Sequence, residues 1–152
     1  MKKLIIILCL ILSSKSVMAQ STTEISMIFN HVSLSVSDVD VSFDFYKTMF
    51  QLEEIVNRTK VDGIRWFSLS EGKELHLISV VPGDILLNKA VHFALTTSTF
   101  DVFVNNLEEK EMNYTSWSGE VNTVTIRPDG VKQVYVQDPD GYWIEINSVA
   151  QN

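Results

Sequence analysis

The sequence predicts an α+β domain made of one unit used twice, a strand and a helix followed by three strands, and three observations carry that prediction. His31 opens "HVSLSVSDVDVSFDFY" and His92 opens "HFALTTSTFDVFVNNL", each an alternating apolar and polar stretch with a serine six residues after the histidine. Alternation is the mark of a half-buried strand, and apolar residues then recur at helical spacing in both copies. Each half closes on a turn and a strand, "SEGKELHLI" and "DPDGYWIEI", in which Gly72 precedes His76 and Gly141 precedes Glu145 by four residues.

Before the first copy, residues 1–19 read as a cleavable signal peptide. Lys2 and Lys3 make a basic start, Leu4 to Leu12 is unbroken apolar sequence, and Val17-Met18-Ala19 ends on a small residue, so the cut is expected after Ala19. Nine apolar residues rise only about 14 Å as a helix against a hydrocarbon core of roughly 30 Å, so no stable membrane anchor is expected after cleavage. The expected location is secreted or periplasmic.

Removing that segment takes away Cys9, the one cysteine, and three lysines. Lys plus Arg falls from 12 to 9 against 19 acids, a net charge of 9 − 19 = −10, which argues against nucleic acid or an anionic membrane as partner. With no thiol left, a metal would have to be held by nitrogen and oxygen. Residues 20–152 are enough for one domain, with repeats over about 29–80 and 90–147.

Within the first repeat, Ser37-x-x-Asp40 is expected to open a helix whose apolar face carries Val41, Phe45 and Met49, and strands are expected over Glu53 to Lys60 and Ile64 to Leu69. In the second, Ser98-x-x-Asp101 opens a helix with Phe100, Phe103, Val104 and Leu107 inward, and strands follow over Tyr114 to Trp117, Val121 to Ile126 and Val131 to Val136. "RPDG" and "DPDG" are turns whose acids are structural. Glu108 to Glu111 form the wet face of the second helix. Arg65 and Arg127 read as surface residues, and Trp66 and Trp117 as core.

Strand parity decides where the ionisable residues point, because successive side chains lie on opposite faces of a sheet. Val32, Leu34 and Val36 share one face of the first strand, and His31, Ser33 and Ser35 share the other. The same count sets His76 opposite Leu75 and Leu77, His92 opposite Phe93 and Leu95, and Glu145, with Trp143, opposite Ile144 and Ile146. All three histidines and one glutamate therefore lie on the face turned away from the helices.

The paired units, the "NHVSLSV" opening, the "VHFAL" restart and the closing "VYVQDPDGYWIEIN" resemble the vicinal oxygen chelate superfamily, which includes glyoxalase I, extradiol dioxygenases, fosfomycin-resistance thiol transferases and bleomycin-binding proteins. The resemblance covers about Phe29 to Asn147. It implies two βαβββ modules forming a curved mixed sheet around a metal-binding cleft, with ligands on the first and last strand of each module: His31, His76, His92 and Glu145. Imidazole and carboxylate suit Zn²⁺, Ni²⁺, Co²⁺, Mn²⁺ or Fe²⁺.

The activity so implied is that of a glyoxalase-like lyase or isomerase acting on a small substrate with adjacent oxygens, by metal stabilisation of an enediolate. Glu145 is then the general base, and Ser33 and Trp143 are the candidates for substrate contact. Glyoxalase I has a carboxylate where His76 stands, which sets a symmetric two-base shuttle in question. Two alternatives remain open: a non-haem iron dioxygenase using His31, His92 and Glu145, and a metal-free small-molecule-binding protein. Relatives often dimerise, and a homodimer is expected here.

Overall fold

Alternating apolar residues and helix-spaced aromatics resolve into ten main elements in the computed structural model, which describes residues 27–81, 83 and 87–149. The expected signal peptide lies outside the described residues. In order, the elements are β1 (His31–Ser35), α1 (Val39–Phe50), β2 (Glu53–Ile55), β3 (Ile64–Ser68), β4 (Glu74–Ile78), β5 (His92–Thr97), α2 (Phe100–Glu109), β6 (Thr125–Ile126), β7 (Lys132–Gln137) and β8 (Trp143–Ser148). The strand–helix–three-strand unit is thus present twice. No helix among the described residues is long and apolar enough to cross a membrane.

The two modules form two four-stranded mixed sheets of the same topology, ordered β1-β4-β3-β2 and β5-β8-β7-β6. The first and last strands of each unit lie side by side and parallel, which a long crossover through a helix and two strands permits. This pairing matters for function. It brings residues 43 and 51 positions apart in sequence into adjacent rows, with Ser33 opposite His76 and Ala94 opposite Glu145.

Parity holds on every one of these strands. Leu34, Val36, Leu75, Leu77, Ile144 and Ile146 are buried in one hydrophobic cluster with Phe43, Tyr46, Phe67, Phe100, Val104 and Leu107, so the helices of both modules cover a common core. Phe50 of α1 stacks on Phe103 of α2 with ring centroids 5.7 Å apart, which ties the modules together.

A polar lock adds to that tie. The "DPDG" turn between β7 and β8 reaches across to the start of α1: Asp140 accepts from the Ser37 backbone N–H, from Ser37 Oγ and from Ser42 Oγ, and Asp138 accepts from Tyr46 Oη at 2.8 Å. Asp138 also accepts from the backbone N–H groups of Asp140 and Tyr142. Gly141 (φ 86°) supplies the left-handed residue that turns the chain back into β8.

That lock accounts for two departures from the expected helix start. Ser37 does not cap α1, because its hydroxyl is taken by Asp140; Asp38 is the cap and accepts from the N–H groups of Asp40 and Val41. The buried face of α1 is Ser42, Phe43 and Tyr46, while Val41 is exposed, since Ser42 and Tyr46 must face the turn they bond. In α2 the cap position is Thr99, one residue past Ser98, and its side chain makes no capping bond.

The expected strand over Glu53 to Lys60 stops at Ile55. Asn57 folds the backbone instead: its amide donates to the carbonyls of Val61 and Ile64, and its Oδ1 accepts from the Thr59 N–H. Tyr114 to Trp117 contributes only bridges at Thr115, to Val121 and Tyr135, and Val121 to Ile126 only its last two residues, because Ser116 Oγ accepts from the Glu120 N–H in a local turn. Arg65 lies over the Phe43 ring and pairs with Asp40 and Glu54, and Arg127 pairs with Asp129, which fits the surface reading of both.

The lock predicts a pH-dependent stability. Burial pulls the Asp140 carboxyl up, but hydrogen bonds from Ser37 and Ser42 outweigh it and hold the group below the ordinary aspartate range. A depressed folded value contributes stability that is present above the unfolded value and lost as pH falls towards the folded one. Asp140→Asn should therefore cost about 1–3 kcal/mol near neutral pH, and the difference should shrink on acidification. Urea melts of both proteins across pH 3 to 7 measure it, and a difference that stays constant over that range would rule the assignment out.

Candidate metal and substrate site

The helix-distal faces of the two sheets carry the expected site residues as two pairs. In the first module, His31 on β1 stacks on His76 on β4 with centroids 4.4 Å apart, and Trp66 on β3 stacks on the other face of His76 at 4.0 Å and 7°. Trp66 is buried, as expected, yet it lies on the polar face with the histidines. Arg58 lies over its outer face, 5.0 Å from the ring centre. The result is a column of four flat groups in which His76 is clamped.

The imidazole nitrogens are individually committed. His31 Nδ1 lies 2.7 Å from Asn30 Oδ1, and His76 Nε2 lies 2.8 Å from Glu74 Oε2. Glu74 is two residues before His76 on the same face. Hydrogen bonds from His76 and Arg58 hold its carboxyl below the usual range, so it accepts as a carboxylate.

In the second module, His92 on β5 faces Glu145 on β8, with Nε2 2.9 Å from Oε2. His92 Nδ1 is 2.7 Å from the Lys89 carbonyl oxygen, which can only accept, so Nδ1 carries the proton of the neutral ring. The lone pair of Nε2 then points at a carboxylate oxygen. Two acceptors meet this closely only with a cation or a proton between them.

Glu145 Oε2 also accepts from Tyr135 Oη at 2.8 Å, and Tyr135 in turn accepts from the Gln133 amide. Burial, reinforced by Glu145, pushes the Tyr135 phenol well up, so it remains a donor. Glu145 is nearly covered, which is where a carboxylate used as a base is held away from bulk water.

Three further groups surround this pair. Lys89 Nζ sits 4.4 Å from the Trp143 ring centre and donates to Thr115 Oγ1 and the Ser116 carbonyl; burial pulls its ammonium below the ordinary range. Trp117 is 50 % exposed beside His92 and Tyr135, which corrects the core reading of that residue. Trp143 is partly buried beneath Lys89, and Ser33 is exposed, opposite His76 in the β1/β4 register.

Among the described residues, no three His, Cys, Asp or Glu side chains gather into one metal-sized cluster. The structure brings His31 to His76 and His92 to Glu145, and it does not join the two pairs. The donor chemistry nevertheless fits a divalent cation: three imidazoles with one nitrogen each turned to an acceptor, the other left as a lone pair, and one carboxylate. Glu74, Tyr135 and Lys89 belong to no motif of the sequence. Parity alone sets Glu74 on the face of His76; Tyr135 emerges only from the β7/β8 register that sets it opposite Glu145.

Comparison with known proteins decides the family. The sequence model of the Glyoxalase/Bleomycin resistance protein/Dioxygenase superfamily matches residues 28–146. The chain belongs to this superfamily. Curated relatives include the metallothiol transferase FosB of Staphylococcus saprophyticus subsp. saprophyticus, 29% identical over 125 residues, covering 78% of this chain and 75% of that protein. FosB of Staphylococcus epidermidis is 27% identical over 128 residues, covering 78% and 80%.

Solved structures with the superfamily fold include the oxidase ChaP-H2, with a TM-score of 0.68 at 20% identity over 84% of this chain and 98% of that one. Lactoylglutathione lyase from Agrobacterium tumefaciens gives a TM-score of 0.62 at 19% identity over 82% and 96%. These likenesses show the fold. They also place the two modules described above within the superfamily's paired βαβββ architecture.

Proposed function

We propose that the protein is a metal-dependent enzyme of glyoxalase type, acting as a lyase or isomerase on a small substrate with neighbouring oxygens. The observation that carries the proposal is Glu145: a nearly buried carboxylate held between His92 Nε2 and Tyr135 Oη, on the last strand of its module. His31, His76, His92 and Glu145 would hold the metal. When bound, a divalent cation supplies Lewis-acid stabilisation of negative charge developing on a substrate oxygen. Glu145 takes the proton from the carbon next to that oxygen, and Tyr135 orients the carboxylate for it. Lys89 and the ring of Trp143 form the wall beside this base, and Trp117 lies against its neighbours His92 and Tyr135.

A full ligand set requires the two pairs to meet, and a second copy of the chain supplies the means. β1 is hydrogen-bonded only to β4 and β5 only to β8 among the described strands, so β1 and β5 each have an open edge of the kind that templates pairing. The residues leading into those edges, Met27, Ile28, Phe29 and Val91, are exposed and apolar. In a homodimer joining β1 of one copy to β5 of the other, His31 and His76 would face His92 and Glu145.

A second reading, transfer of a thiol to a small electrophile, is supported by the similarity to metallothiol transferases. The described residues contain no cysteine, so the thiol would come from a cosubstrate. The choice is settled by assaying the metal-loaded protein with thiol adducts of 2-oxoaldehydes on one side and with an electrophile plus free thiol on the other.

Both readings require the metal. Added Zn²⁺ or Ni²⁺ at about 100 times its dissociation constant should stabilise the native state by about 2.7 kcal/mol. Thermal melts with ion, with chelator and with His92→Ala measure this, alongside the mass of the particle in solution. Melting indifferent to every divalent ion, with no stoichiometric metal retained, would leave the metal-free binding protein as the reading to pursue.

A further inference from the structure

A cleft of about 760 Å³ opens between the two modules, and none of His31, His76, His92, Glu145, Tyr135 and Lys89 lines it. Its walls come from the C-terminal end of α1, the turn between β3 and β4, strand β5 and helix α2. Both rings of the Phe50–Phe103 stack line it. Leu95 and Ile146 enter it from the helix side of the second sheet, the face opposite to His92 and Glu145.

Three properties of this cleft point to a ligand. Its volume falls in the range of about 300–1,000 Å³ in which small molecules are held, and its walls are mostly apolar with a few polar groups, as such sites require. The apolar walls are also wet: Phe29 and Val102 are 59% and 57% exposed, and Met49, Leu52 and Leu69 are only partly buried. Covering them with an apolar molecule releases that water. The third property is charge. Lys73 is the one charged residue of the lining, in a chain with 19 acids against 12 lysines and arginines.

Lys73 is half-buried and is in no ion pair among the described residues. Its ammonium donates to the Glu71 carbonyl at 3.2 Å, and two of its three donors remain for another acceptor. We propose that the cleft binds a small amphiphile with one anionic head, the head on Lys73 and the apolar body against Met49, Leu52 and Val102. An anion gains an ion pair at that position. A cationic head would meet the repulsion of Lys73 with no acid in the lining to offset it. The concave shape takes a single molecule, and the net negative charge of the chain argues against an anionic membrane surface as the source of the head. This site needs neither the metal nor Glu145, so it stands apart from the proposed reaction.

Decanoate below its micelle concentration is the probe, with decanol as the uncharged body and decyltrimethylammonium as the opposite charge. Calorimetry on the full mature chain should show saturable binding of decanoate, binding of decanol weaker by about tenfold or more, and none of the ammonium amphiphile. Methyl ¹H–¹³C spectra should locate decanoate at Met49, Leu52 and Val102. Lys73→Met keeps the apolar stem and deletes the charge; it should weaken decanoate by about tenfold and leave decanol unchanged. Val102→Trp, at an exposed position of α2, should block both.

Absence of saturable decanoate binding overturns the proposal. So do methyl shifts confined to other parts of the chain, an affinity that neither variant moves, and equal binding of decanoate and decanol. The homodimer proposed above would lay a strand along β5, where Ala94 and Thr96 border the cleft, so the mass of the particle is read on the same samples. If decanoate is expelled as the dimer forms, the second copy is the occupant, and this proposal fails while the homodimer stands. The decanol and ammonium comparisons use the wild-type protein and decide the matter even if a variant fails to fold.

Discussion

Glu145→Gln is expected to lower turnover by about 10² to 10⁴-fold, the range lost when general-base catalysis is removed. The amide keeps the size of the side chain and one oxygen, and Tyr135 Oη can still donate to it at the position it now occupies, 2.8 Å from Oε2. What disappears is the carboxylate proposed to take the proton. Metal should be partly retained, because three imidazoles remain. His92 provides the comparison: it faces the same carboxylate at 2.9 Å, but His92→Ala removes a proposed ligand and should lower metal content as well as rate. Metal analysis with turnover on the same samples separates the two. Equal loss of metal in both variants would assign Glu145 the role of ligand alone.

Tyr46→Ala should give the largest loss of stability, about 3–5 kcal/mol, the cost typical of truncating a buried aromatic. Tyr46 has no exposed surface, it stacks on Phe50 with centroids 5.8 Å apart, and its hydroxyl donates to Asp138 across the joint between the modules. For a chain of this size that corresponds to a fall in melting temperature of roughly 10–20 °C. Tyr46→Phe dissects the effect, since it keeps the ring and deletes only the donor to Asp138.

The phenylalanine variant also carries a pH signature. Burial raises the Asp138 carboxyl above the ordinary range, and the hydrogen bond from Tyr46 is one of the contacts pulling it back down. Without the hydroxyl the folded value rises further, and a raised carboxyl contributes stability only at low pH, losing it as pH climbs through the folded value. Tyr46→Phe should therefore resemble wild type in acid and lose about 1–3 kcal/mol towards neutrality. Chemical denaturation at several pH values measures it; a penalty that grows on acidification would mean that the bond does not serve the ionised form.

The Asp138–Tyr46 contact also marks how far local sequence signals reach. "DPDG" announces a turn through its own residues, since proline presets one dihedral angle and glycine supplies the left-handed one. It does not announce that both acids will cross to the other module. Spacing alone makes Ser37 a helix cap; Asp140, 103 positions away, takes its hydroxyl, and Asp38 caps in its place. Val41 likewise fitted the helical spacing, and it is exposed because the lock turns Ser42 and Tyr46 inward. Local periodicity gives the width of an apolar face, and the contact it must satisfy sets its rotation.

The repeated strand–helix–three-strand unit, and the face on which His31, His76, His92 and Glu145 lie, are written in the local pattern of residues. The face follows from the covalent geometry of the chain, because a strand alternates its side chains with a period of two whatever it packs against. Which of these residues meet is a matter of how the strands pair. The parallel pairing of β1 with β4 and of β5 with β8 made two pairs from four residues. Register then placed Trp66 against His76 and Tyr135 against Glu145. The physical reason is that register and crossover are set by the fit of whole sheets onto one shared core, a long-range condition that no short stretch of sequence contains.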